Sequence, residues 1–195
     1  MFLIKRFLDS ALFWLTGNMP CKLIYRGDKP YLERYYLGSI LGVTFYLHRF
    51  VSADKERDIH NHPWGWGGSL ILLGSYIEER CLDICPFFMG SGCLTTRRKI
   101  RFFNRVDGNS FHRISDAEKI TWTFFFHGKR SIILPGAQVS GMPFPVIYKG
   151  WGFFEQEFFG GEKVTVFRSY DSPSALNWWA TAKKGIEIGR ESRVR

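Results

Sequence analysis

The stretch IHNHPWGWGGSLILLGSYIEER, residues 59–80, decides how the chain reads. Three short runs, Ile59–Trp64, Ser69–Leu73 and Ser75–Arg80, are separated by Gly67-Gly68 and Gly74. Runs this short, rich in branched and aromatic side chains and cut by glycine, predict strands joined by tight turns rather than helices. The pattern continues in both directions. Upstream, Tyr35–Ser52 holds two runs around Gly42. Downstream come Thr95–Phe103, Ser110–Ile114, Ile120–Phe126 and Arg130–Leu134, punctuated by Gly90-Ser91-Gly92, Asp107-Gly108-Asn109 and His127-Gly128. Many short strands at this spacing predict an all-β, antiparallel barrel or sandwich.

The chain has 195 residues, enough for one domain with a proper core. Its 45% apolar and 23% charged residues exclude disordered and low-complexity classes. No apolar run approaches the roughly 18 residues of a membrane span. Aromatic residues make up 17%, which favours β-structure around a bulky core or pocket. A net charge of +9 invites anionic partners, but no nucleic-acid motif accompanies it, so nucleic acid stays a minor reading. The four cysteines contain no CxxC pair and read as reduced thiols, with a zinc site at Cys81, Cys85 and Cys93 as the lesser alternative. A cytoplasmic location is expected on that basis.

The two ends read as helical. In residues 1–17, Leu3, Ile4, Phe7, Leu8, Ala11, Leu12, Trp14 and Leu15 form one apolar stripe, opposed by Lys5, Arg6, Asp9 and Ser10. This predicts a helix docked on the body through its stripe, with membrane-surface or partner contact as the second reading. A C-terminal helix is expected from Ser172 as cap and Pro173 in the first turn to Gly185, followed by a basic tail. Segment 135–150, with three prolines and three glycines, reads as a loop beside the barrel mouth, a lid or partner contact.

The chemistry concentrates in the histidines. In His60-Asn61-His62 the two imidazoles are two residues apart, so on a strand they share a face. His112 follows the turn Asp107-Gly108-Asn109 on a later strand, placed as a third ligand would be. Three imidazoles suit zinc, iron, nickel or copper and leave positions open for water or substrate. His48, in an aromatic strand, and His127, before Gly128, read as packing and turn residues. Asp58 reads as a partner that orients an imidazole.

These residues resemble the cupin superfamily. His60, His62 and Gly74 keep the spacing of its first motif, although the glutamate position falls on Trp66 or Gly67. The second motif is matched at His112 alone. More closely, ERDIHNHPW, LLGSYIEE, FHRI, TWTFFFHGKR and WGFF are similar to a group of small bacterial and phage cupins, over roughly residues 35–170. The resemblance implies a cupin-like conical β-barrel over 35–170, with 135–150 as an insertion, flanked by the N-terminal helix and a C-terminal segment, 171–195. It also implies a divalent metal held by His60, His62 and His112 in the barrel mouth. Iron comes first, with zinc, nickel and manganese as alternatives.

The expected activity is a non-haem iron oxygenase acting on a small molecule. A metal-dependent isomerase, lyase or hydrolase and a non-catalytic binding module are the alternatives. Tyr76 and Glu78, sharing a strand face, are the expected acid–base pair, with a solvated face as the competing reading. Trp64 and Trp66 are expected to wall the pocket. In the basic run Arg97, Arg98, Lys99, Arg101 and Arg105, alternation puts Arg97, Lys99 and Arg101 on one face, so Arg101 could meet a substrate anion if that face is not simply solvated. A homodimer is admitted as an assembly.

Overall fold

The computed structural model describes residues 2–26, 28–52, 58–84, 93–129, 137–138, 147–148, 151–159, 161–169 and 177–188. Helix α1 spans Phe2–Leu15 and is followed, among the described residues, by thirteen strands. These are β1 (Cys21–Arg26), β2 (Lys29–Ile40), β3 (Val43–Phe50), β4 (Gly67–Leu73), β5 (Tyr76–Ile84), β6 (Cys93–Ile100) and β7 (Phe103–Val106), then β8 (His112–Ala117), β9 (Thr121–His127), β10 (Ala137–Gln138), β11 (Ile147–Tyr148), β12 (Gly152–Phe159) and β13 (Glu162–Ser169).

One sheet has the order β1-β2-β3-β9-β4-β7, antiparallel throughout. A second sheet runs β6-β5-β8. It continues through His60, which bridges to His112 on one side and Phe153 on the other, into the β12–β13 pair. Side chains of both sheets line one cavity, so the sheets face each other. The expected all-β architecture is present. Among the described residues it takes the form of two facing sheets with no ladder closing them into a barrel.

Strand alternation sorts the residues of the first sheet. On its inner face Leu32, Arg34, His48, Phe50, Thr123, Phe125 and Ser69 line the cavity. On its outer face Tyr35, Leu47 and Trp122 are buried together with Cys21 and Ile188, and Leu12 and Phe13 of α1 pack against them. The large aromatic content therefore fills two layers, one on each side of a single sheet.

The helix docks, but not by its apolar stripe. Leu3, Phe7 and Trp14 are 78%, 72% and 83% exposed, and Ile4, Leu8 and Leu15 are exposed as well. The inward side is mixed, with Lys5, Asp9, Leu12 and Phe13 half-buried while Arg6 and Ser10 stay exposed. Asp9 Oδ1 accepts hydrogen bonds from Trp122 Nε1 at 2.7 Å and Arg49 Nε at 3.4 Å, and Lys5 Nζ donates to Glu118 Oε2 at 2.7 Å. Trp122 has no exposed surface, so its buried N–H must find an acceptor, and Asp9 is that acceptor.

Other expectations are revised. Ser172 and Pro173 lie outside the described residues, and near the predicted helix end the chain forms a 3-10 turn at Trp178–Ala180 and a short helical turn over 185–188. Gly185 therefore opens a turn instead of closing a helix. It has to be glycine, because a Cβ there would press on the Thr16 carbonyl and the Tyr35 ring at 2.5 Å. Cys21 is a buried free thiol, but Cys81 is disulfide-bonded, against the expectation of reduced cysteines. Such bonds belong mainly to oxidising compartments. Of segment 135–150, the short antiparallel pair β10–β11 is described, and the expected lid lies outside the described residues.

Gly74 joins β4 to β5 with φ +80°, and a Cβ there would meet the Ile120 carbonyl and, at 2.5 Å, Thr121 Oγ1. Gly74→Ala is expected to cost roughly 2–4 kcal/mol in denaturant unfolding, from left-handed strain plus overpacking. Hydrogen bonds from Lys5 and Ser75 hold the Glu118 carboxyl down at about 2 against an ordinary 4.5. Because the folded-state value is depressed, this contribution is complete above pH 4.5 and is lost as pH falls towards 2. Thermal unfolding from pH 6 to 2 should show Glu118→Gln less sensitive to acid than the wild type over that window.

Candidate metal centre

The three histidines come from two places that the backbone ties together. His112 opens β8. His60 lies in the connection between β3 and β4 and forms a mutual bridge with it, His60 N–H to His112 O at 3.0 Å and His112 N–H to His60 O at 2.9 Å. Asn61 points the opposite way from its neighbours, as alternation requires. Its Nδ2 donates to the Gly108 carbonyl at 2.9 Å, its Oδ1 accepts the Gly152 N–H at 2.8 Å, and its own N–H reaches the Gly152 carbonyl at 3.1 Å. The intervening asparagine thus locks the HxH segment against the turn before β8 and the start of β12. Gly152 is needed for the close approach, since a Cβ would collide with the Arg168 carbonyl.

One ring nitrogen from each of His60, His62 and His112 lies within 4.8 Å of the others. His62 Nε2 and His112 Nε2 are 2.8 Å apart. Two nitrogens bound at about 2.0–2.1 Å to one ion are about 3 Å apart when they subtend a right angle. The spacing therefore suits a shared metal. His60 and His112 are buried and His62 is half-buried.

The outer nitrogens fix the tautomers. His112 Nδ1 lies 2.7 Å from Glu78 Oε1. A carboxylate can only accept, so Nδ1 carries the proton and Nε2 presents a lone pair. His60 Nδ1 lies 3.1 Å from the Asp58 carbonyl oxygen, which fixes the same tautomer. The contact comes from the Asp58 backbone and not from the carboxylate that the sequence offered for this role. His62 is held by stacking, 4.5 Å from the Trp64 ring, whose other face meets His127 at 4.2 Å.

Glu78 has no exposed surface. Burial pushes its carboxyl up, but hydrogen bonds from His112, Arg98 and Asn104 outweigh burial and hold it well below the usual range. The donors are Arg98 Nη2 at 2.8 Å, Arg80 Nη2 at 3.0 Å and Asn104 Nδ2 at 2.8 Å. The sequence placed this residue on the correct face. The structure sets it behind His112, away from the cavity lining.

The cavity holds about 650 Å³, counting the part open to solvent, and the three histidines form part of its wall. Of the expected site residues, Tyr76 and Trp64 line it. Tyr76 is buried, and its phenol is pushed up to about 12, chiefly by that burial. Trp66 does not line the cavity. It is 43% exposed and packs over Gly128. Arg101 is exposed in the turn between β6 and β7, also outside the cavity. Among the lining residues that the sequence did not single out are the polar Arg34, His48, Ser69, Asn104 and Thr123. His48 was read as packing, yet its Nε2 accepts a hydrogen bond from Arg34 Nε at 3.1 Å inside the cavity wall. The available signal was alternation, since Leu32-Arg34-Tyr36 and Tyr46-His48-Phe50 put a cation and an imidazole in two otherwise apolar rows.

No family model and no curated relative matches the sequence. Among solved structures, a crystal structure of FeII HppE in complex with substrate is similar at a TM-score of 0.43 and 10% identity, over 57% of this chain and 57% of that one.

Glu78→Gln is expected to weaken metal binding roughly 10- to 100-fold, the usual effect of removing a carboxylate that holds a ligating imidazole. Isothermal titration of the metal-depleted protein with Fe(II) or Zn(II) under anaerobic conditions measures it. Affinity equal to wild type would show that the His112 tautomer does not depend on this carboxylate.

Proposed function

We propose that the protein is a metal-dependent enzyme acting on a small molecule, specifically a non-haem iron oxygenase with a three-histidine centre. One observation carries the reading: three imidazole nitrogens converge at the wall of a cavity, two of them with tautomers fixed by outer hydrogen bonds. Neutral nitrogen donors suit a borderline transition ion such as iron, zinc or nickel better than magnesium or calcium. Such an ion, when bound by His60, His62 and His112, supplies an electrophilic centre with open positions for substrate and dioxygen.

The remaining residues favour oxidative chemistry over the isomerase, lyase or hydrolase alternative. Acid–base chemistry on a substrate needs a proton acceptor facing it. Among the described residues that line the cavity there is no carboxylate, and Glu78 is engaged behind His112. Tyr76, kept protonated by burial, serves as a hydrogen-bond donor or proton source to a bound molecule. Trp64 and Phe50 give the substrate apolar contact, and Ser69 and Asn104 add polar contacts beside Tyr76. In this reading Glu78 is a positioning residue acting through His112.

The test is metal content followed by oxygen uptake. The purified protein is expected to bind iron at about one ion per chain, as a single three-histidine centre requires. His60→Ala and His112→Ala should each abolish that binding while circular dichroism stays that of a folded β protein. A library of small molecules should then yield compounds that drive oxygen consumption by the iron-loaded wild type alone. Metal retained undiminished in both variants would remove the centre. Turnover of a substrate without oxygen uptake would move the protein to the isomerase, lyase or hydrolase class.

A further inference from the structure

Two groups of apolar side chains line the cavity. Beside the histidines stand Trp64, Val106 and Phe125, with Trp64 stacked on His62. The other group is Ile24, Tyr31, Leu32, Phe50 and Ile114, which belong to or pack against the buried cluster that contains Tyr76. The Tyr76 ring lies 5.6 Å from that of Phe50, and the residue is 2% exposed. Its polar neighbour Asn104 is engaged within the protein. Asn104 Oδ1 accepts from Arg80 and Arg98, both at 3.3 Å, and Nδ2 donates to Glu78 Oε1 at 2.8 Å. Tyr76 differs. Hydrogen bonds with Ser69 and Asn104 pull its phenol down, against the burial that pushes it up. A bond that lowers a phenol is one donated to its oxygen, because it stabilises the ionised form. The phenol oxygen therefore accepts from the protein, and among the described residues no group accepts its own proton. A buried donor without an acceptor is costly, so the cavity holds a donor, set among hydrocarbon, for a molecule that enters.

We infer that the substrate is an uncharged, mainly hydrocarbon molecule with a carbonyl oxygen, which accepts a hydrogen bond from Tyr76 while the carbon skeleton packs on Leu32, Phe50 and Ile114 and extends to the histidines. This rests on the proposed metal centre for what becomes of the molecule, but not for how it is held. Tyr76 and His112 stand on paired strands of one sheet, β5 and β8, and Ile114 follows His112 on the same strand face, so skeleton and reacting end share one wall. A carbonyl fits this donor better than a hydroxyl does. A hydroxyl brings a proton of its own, and the amide oxygen beside Tyr76 is already taken by two arginines. It also fits better than an ion, which would give up its hydration among alkyl and aromatic groups. Arg34 also lines the wall, so a carboxylate is the competing class and enters the test as such.

The experiment uses the full chain after chelation, titrated at neutral pH with cyclohexanone, with methylenecyclohexane, which keeps the shape without the oxygen, and with cyclohexanecarboxylate. Ligand-observed NMR reads the affinities. The wild type is expected to bind cyclohexanone saturably and more tightly than the carboxylate. Tyr76→Phe is expected to weaken the ketone roughly three- to tenfold, the effect of losing one buried neutral hydrogen bond, and to leave methylenecyclohexane unchanged. Infrared difference spectra with 13C-labelled ketone give a second measurement, which needs no variant. The bound carbonyl stretch should lie below its position in hexane, as a hydrogen-bonded carbonyl requires. Absence of saturable ketone binding, a bound stretch equal to that in hexane, equal ketone affinity in a folded Tyr76→Phe, or a carboxylate that binds more tightly than the ketone would each overturn the inference. Because no metal is needed, a chain that binds the ketone through Tyr76 but takes up no iron sinks the proposed oxygenase and leaves this inference standing. A chain that takes up iron but ignores the ketone does the reverse.

Discussion

The buried carboxylate of Glu78 is the interaction on which the site and the meeting of the two sheets both depend. It stands on β5 and takes hydrogen bonds from Arg98 on β6, His112 on β8 and Asn104 on β7. The first two belong to its own sheet, and the third belongs to the facing one. Arg80, beside it, also donates to the Arg105 carbonyl of β7 at 2.7 Å. A buried charge is tolerated only when its lone pairs are occupied, and here every partner that occupies them is also a structural tie. The carboxylate that orients a ligating imidazole therefore also joins the sheets that form the cavity. Loosening one loosens the other.

Much of this was legible in the sequence, and the rest was hidden for identifiable reasons. Strand runs cut by glycine mark the second half of β2, all of β3 and most of β4, β5 and β9, because two-residue alternation and turn glycines are local signals. His60, His62 and His112 were legible because an i, i+2 pair needs only a strand-like backbone to converge. The role of Glu78 was not. Its face was predictable, but whether a carboxylate meets substrate or the back of an imidazole depends on which strand pairs with β5, a non-local fact. Arg34 escapes notice because β1 and the start of β2, outside the stretch that resembles the cupin family, supply a cavity wall, and His48 because an imidazole in an aromatic strand reads as packing.

Helix α1 shows how a strong pattern can be read the wrong way round. Its apolar stripe predicted the buried face, on the rule that amphipathic helices bury their apolar side. The outer sheet surface offers instead a buried Trp122 N–H and the Arg49 guanidinium, and Arg49 also pairs with the fully buried Glu33 at 3.0 Å. A donor and a cation in that setting need an acceptor more than they need another alkyl group. Asp9 supplies it, and with Lys5 tied to Glu118 the helix is rotated so that these two polar residues are turned inward and most of the apolar stripe outward. Leu12 and Phe13, at the edge of that face, complete the apolar packing. The requirement of one buried indole overrides the periodicity of a 14-residue segment.

The two sheets divide the work of the cavity. Ligating nitrogens come from β8 and the His60–His62 connection, bound to the second sheet by backbone bridges. The rigid cation and its imidazole support come from β2 and β3 of the first sheet, registered opposite each other as Arg34 and His48. Neighbouring strands hold such a pair more firmly than a loop does, because ladder hydrogen bonds fix the register and a one-residue slip would turn both side chains out of the cavity. The wall that bears Arg34 and His48 and the wall that bears the three histidines are tied together by the Asn104–Glu78 hydrogen bond at 2.8 Å, made by the same carboxylate that orients His112.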